Sequence, residues 1–100
     1  MRVGTVIGRV TLNKTVPALK GARWLVVSSY GRNEFEKHDG STVLISPAPS
    51  LVVFDNIGGG VGDTIGFVEG REATSSFDDP TPIDAINAAL IDEIFYSPKQ

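Results

Sequence analysis

Cysteine is absent from the 100 residues, and histidine, methionine and tryptophan occur once each. Without thiols the chain forms no disulfide, no thiolate metal centre and no cysteine nucleophile, a composition that suits a reducing cytosol. Cations are also scarce: nine Lys and Arg stand against twelve Asp and Glu, for a net charge of −3. That balance gives neither a broad positive field for phosphate backbones nor a polybasic anchor, so nucleic acid and membrane are not expected partners. No apolar run approaches a membrane span, and the segment after Met1 alternates instead of forming the apolar core of a signal peptide. The expectation is a soluble, cytosolic chain. One domain with a modest core fits this length, and help from oligomerisation is unsurprising at such a size.

Glycine, by contrast, is plentiful and concentrated. In Phe54 to Gly70, FDNIGGGVGDTIGFVEG, two apolar runs flank Gly58, Gly59, Gly60, Gly62 and Asp63. Strand, tight glycine turn and strand is the direct reading, a structural hairpin whose glycines take positive φ or admit a close backbone. A phosphate-binding reading fails on sequence. The dinucleotide fingerprint needs a helix after its glycines, whereas Thr64 to Val68 is β-branched and aromatic, and no P-loop Lys and Ser/Thr pair follows. No cofactor is therefore expected.

Arg2 to Leu12 reads as a strand with Gly4, Val6, Gly8, Val10 and Leu12 on one face and Val3, Thr5, Ile7, Arg9 and Thr11 on the other. Both faces are partly apolar, which suits a strand of a small barrel covered on its outer side within an oligomer. Gly4 and Gly8 predict a strong bend or close packing. Asn13 to Gly21 is a connection, and Ala22 to Tyr30 a second strand with Trp24, Val26, Ser28 and Tyr30 opposite Leu25, Val27 and Ser29. Gly31 to Ser50 is expected to hold a mixed-charge loop or hairpin tip turning at Asp39-Gly40, then a short strand at Thr42 to Ile45 that Pro47 and Pro49 end. Glu34, Glu36, His38 and Asp39 are chemically competent metal ligands, but alternating acids with one His are more simply a solvated loop. Leu51 to Ile57 and Thr64 to Glu69 are strands. Gly70 to Pro82, with Ser75-Ser76 and Asp78-Asp79, is a polar surface connection with room for one helical turn.

Catalytic signals are few. The single His sits among charges, and Ser75-Ser76 lack the strand-turn-helix setting of a nucleophile elbow. Asp55 and Asp63 are better used bonding the turn backbone than as a carboxylate pair, so no enzyme activity is expected. A binding module of the OB type, for an oligonucleotide or small ligand, is the alternative function; it needs a basic groove interleaved with aromatics, and the eight aromatics share no spacing with Arg or Lys.

Asp55-Asn56-Ile57-Gly58-Gly59-Gly60-Val61-Gly62-Asp63-Thr64-Ile65 resembles the signature of the EutN/CcmL family of bacterial microcompartment vertex proteins, with Gly59 where Ala is usual. Shorter matches follow the same order: Val6-Ile7-Gly8, Leu19-Lys20-Gly21 leading into Leu25-Val26-Val27, Pro82-Ile83-Asp84-Ala85, and Ile91-Asp92-Glu93-Ile94. The resemblance implies a mainly β fold, a small five-stranded OB-like barrel over residues 1–100 with at most one short helix. It also implies a structural shell protein of a carboxysome-like compartment, assembling as a homopentamer (a homohexamer being the alternative ring) beside hexameric shell proteins. One conflict arises. Ile83, Ile86, Leu90, Ile91, Ile94 and Phe95 fit a helical stripe with Thr81 as cap and Pro82 at its first position. The resemblance instead implies a final strand there, and we expect the strand because closure removes unpaired sheet edges.

Overall fold

A computed structural model describes residues 1–75, 77–78 and 81–97. Its five strands are β1 (Arg2–Val10), β2 (Arg23–Ser29), β3 (Leu51–Asp55), β4 (Thr64–Glu69) and β5 (Ala85–Leu90), with one α-helix, α1 (Arg32–Lys37), and 3₁₀ turns at Pro17–Leu19 and Gly70–Thr74. They close into a barrel in the order β1-β2-β3-β5-β4, with β4 returning to β1. Closure follows from edge chemistry, because each strand's outer N–H and C=O groups find a partner only when the last edge meets the first.

The expected hairpin between β3 and β4 does not form. β3 bonds β2 on one side and, in parallel, β5 on the other, while β4 bonds β1 and β5. The connection from Asn56 to Asp63 exceeds the roughly two to five residues of an ordinary hairpin loop. Its far end is tied to β1: Gly62 N donates to Val6 O at 2.8 Å and Val6 N to Asp63 O at 2.9 Å. The chain therefore enters β4 alongside β1 and leaves a gap beside β3 that β5 fills.

That gap decides the conflict over the C-terminal segment. Ala85–Leu90 is a strand with Ala85 and Asn87 buried on one face and Ile86 buried on the other, whereas a helix would have set Ile86 and Leu90 together on the core side and Leu90 is 49% exposed. A helix there would have left the edges of β3 and β4 unpaired, a larger loss than the amphipathic stripe offers. Ile91 N still bonds Thr64 O at 2.8 Å, and the chain then runs on to Ser97 without regular structure.

Val6, Leu25, Val27, Val53, Ile65, Phe67 and Ala85 fill the barrel, with Leu51 against them. Alternate positions of β2, β3 and β5 contribute Trp24, Phe54 and Ile86 to a second cluster with Ala73 of the 3₁₀ turn, joined by Val10, Leu19, Ala22, Val68, Phe77 and Ile83. The two-sided strands are thus covered partly by the chain's own 3₁₀ segments. Gly4 is a close approach, since a Cβ there would lie 2.6 Å from Ser28 O and from a Val27 methyl. The pairing of β1 with β2 shifts between Val6 and Gly8, which supplies the bend and changes the alternation read from sequence.

Residues 31–50 differ from expectation twice. Arg32–Lys37 is helical, started by Glu34, whose Oε1 accepts from Gly31 N at 2.7 Å in the manner of the N3 residue of a capping box. Thr42 to Ile45 is not a strand: β2 is already paired with β1 and β3, and the segment after it is tied to β2 by a side chain instead of a ladder, Ser46 N donating to the buried Ser28 Oγ at 2.9 Å. Of the polar connection after Gly70, Ser76, Asp79 and Pro80 lie outside the described residues.

Candidate functional site

The most organised polar cluster lies where β3 ends. Asp55 is buried, with no side-chain exposure. Its Oδ2 accepts Gly59 N at 2.9 Å and its Oδ1 accepts Ile57 N at 3.2 Å, so one carboxylate folds the first half of the loop over the barrel end. Asn87 Nδ2 donates to the same Oδ1 at 3.0 Å, joining β5 to β3 by side chains where their backbones meet at a single register pair. Arg23 completes the cluster: Nη1 lies 3.5 Å from Asp55 Oδ2 and Nη2 donates to Gly59 O at 3.0 Å. A buried carboxylate is costly unless it is paired and hydrogen-bonded, and here both oxygens are occupied.

The second half of the loop has its own carboxylate. Asp63 Oδ2 accepts Gly60 N at 2.8 Å while Asp63 N bonds Gly60 O at 3.0 Å, a closed local turn. Asp55 and Asp63 each hold a separate stretch of backbone and form no shared acid-base dyad. Among the glycines, Gly58 (φ +91°) and Gly62 (φ +96°) occupy the left-handed region, and Gly60 does not. Gly59 serves by close approach: it is buried, and a Cβ would lie 3.0 Å from both Asn87 Nδ2 and Leu25 Cδ1.

This arrangement is unsuited to phosphate. Gly59 N and Gly60 N already donate to carboxylates, whose negative charge repels an anion, and a strand rather than a helix follows. In the acidic segment after Gly31, Glu34 and Asp39 also spend their oxygens on local bonds. Asp39 Oδ1 accepts Ser41 N and Thr42 N, each at 2.9 Å. These bonds, Ser41's foremost, hold the Asp39 carboxyl well below the usual carboxylate range. Among the described residues no three His, Asp or Glu side chains converge as a metal site.

Sequence reasoning placed the two aspartates on the turn but missed Arg23 and Asn87. A signal for Asn87 was present: a lone amide inside the apolar run Ala85–Leu90 requires a buried partner. Arg23 carried no comparable mark, because its reach across to residue 59 exists only in the closed barrel.

A search of curated proteins finds no match. The family model described as ethanolamine utilisation protein EutN/carboxysome, EutN/CcmL, matches residues 1–92. Among solved structures, the GrpN pentameric microcompartment shell protein from Rhodospirillum rubrum is 27% identical, with a TM-score of 0.76 over 96% of this chain and 100% of its own. A pentameric shell protein from the RMM microcompartment is 26% identical, with a TM-score of 0.70 over 91% of this chain and all of that one. CcmL of Gloeobacter violaceus, at 22% identity, shares the fold with a TM-score of 0.78 over the whole of both chains. With the family model spanning residues 1–92 and the same barrel recurring in these structures, the chain belongs to the EutN/CcmL family.

Proposed function

We propose that this chain is a structural shell protein of a bacterial microcompartment, a single barrel domain over residues 1–100. It assembles as a homopentamer that closes the fivefold vertices, next to hexameric shell proteins. The observation that carries this reading is the end-to-end correspondence with two pentameric shell proteins, 27% and 26% identical over more than nine-tenths of the chain. A head-to-tail contact that closes after five copies gives a ring, and a fivefold ring supplies the curvature that a sheet of hexamers lacks. We assign Gly58, Gly59, Gly60, Gly62 and Asp63, with Asp55, Arg23 and Asn87, a structural role. The carboxylates of Asp55 and Asp63 are spent on holding the loop backbone, which supports a structural rather than a catalytic use, and we propose no catalysis. Native mass spectrometry of the purified chain tests the reading. A species five times the 10.7 kDa protomer is expected; a monomer at micromolar concentration refutes it, and a six-fold mass replaces the pentamer with the alternative ring.

A further inference from the structure

Opposite charge is segregated along this chain. The segment 9–23 contains Arg9, Lys14, Lys20 and Arg23 and no acid, in a protein that is acidic overall. The segment 84–97 contains Asp84, Asp92 and Glu93 and no cation. The first borders an open groove of about 430 Å³ whose walls include Arg9, Leu12, Leu19, Arg23 and Trp24. The second ends in a tail that follows β5, with Asp92 and Glu93 exposed and Phe95 90% exposed. Phe95 is the most exposed large apolar side chain of the described residues, on a segment that runs beside His38 to Gly40 and is anchored at both flanks: Ile91 N bonds Thr64 O, and Tyr96 stacks on Phe35 with ring centroids 5.6 Å apart.

The tail and the groove belong to opposite ends of β1. Ile91 joins the tail to Thr64, which pairs with Thr5, and α1 follows the end of β2 that pairs with Gly4; the groove lies at Arg9 and Val10. Four to six strand residues separate these points, about 13 to 20 Å. A tail anchored at one end does not fill its own groove, and the shape is that of a head-to-tail contact.

We propose that the acidic tail Asp92-Glu93-Ile94-Phe95 of one copy occupies the Arg9 and Arg23 groove of the next copy, Phe95 entering against Leu12 and Leu19 while Glu93 faces the guanidinium groups. The inference rests on the ring assembly proposed above and identifies the contact that closes it. An oligonucleotide is the weaker occupant, because Trp24 is buried and offers no face for a base to stack on.

The test combines charge reversal and cross-linking in the intact chain. Arg9→Glu and Glu93→Arg alter exposed side chains, so circular dichroism should show unchanged folding. Each alone is expected to raise the protomer concentration at half-dissociation by about ten-fold or more, and the double reversal to recover most of that loss. The absence of native cysteine makes Leu12→Cys with Phe95→Cys a clean proximity probe, expected to give an oxidised ladder ending at the ring size. A wild-type ring whose assembly is unmoved by both reversals, or that yields no ladder, overturns the tail contact and leaves the pentamer reading standing. A monomeric wild type overturns both. Binding of a single-stranded oligonucleotide that Arg9→Glu abolishes, with assembly unchanged, also overturns it.

Discussion

Replacing Asp55 with Ala removes the acceptor for Gly59 N, Ile57 N and Asn87 Nδ2 and deprives Arg23 of its ion-pair partner. Hydrogen bonds to a charged group contribute about 1.5–3 kcal/mol each, and breaking a buried pair costs about 3–5 kcal/mol. The values do not add, because the donors share one carboxylate and the Arg23 side chain is 45% exposed to water. A loss of about 3 kcal/mol is therefore expected, near the lower bound for a buried pair. At about 4–8 °C per kcal/mol for a domain of this size, the melting temperature should fall by roughly 12–24 °C. Asp55→Asn keeps one acceptor oxygen but not the charge and should fall between wild type and Asp55→Ala. Melting must be compared at one protomer concentration, since assembly shifts apparent stability. Combining Asp55→Ala with Asn87→Ala should cost less than the two separately, by about 0.5–3 kcal/mol. A loss below about 1 kcal/mol for Asp55→Ala, the size of one ordinary hydrogen bond, would show that the cluster does not hold the turn.

The glycine positions should separate by backbone conformation: Gly58→Val and Gly62→Val should each cost more than about 1 kcal/mol, and Gly60→Ala, whose Cβ would lie 3.7 Å from Asp63 Oδ2, much less. Equal melting temperatures for the three variants would contradict this. Asp39 has a lowered carboxyl pKa in the folded chain, so its turn is supported above the unfolded value of about 3.9 and loses that support as pH falls through the folded value. Its carboxyl carbon should titrate in NMR below the ordinary aspartate value, and a midpoint near 3.9 would refute the assignment. The net charge of −3 predicts no appreciable affinity for DNA or RNA, and salt-sensitive micromolar binding in a low-salt titration would contradict it.

Local chemistry in the sequence determined a good deal. Alternation and β-branching located β1, β2, β3 and β4, and the Asp-rimmed glycine run marked the loop that the barrel is built around, because these signals depend on neighbours in the chain. Only the tertiary structure decided how the pieces meet. β3 and β4 look like two arms of a hairpin, yet they are parted by β5, since the bonds from Gly62 and Asp63 to Val6 give β4 to β1. The segment at residues 83–95 reads as a helix by itself and is a strand over Ala85–Leu90 because two open edges compete for it. Arg23, Asp55 and Asn87 are far apart in sequence, and their convergence exists only after closure, when burial of one carboxylate forces each of its oxygens to find a donor.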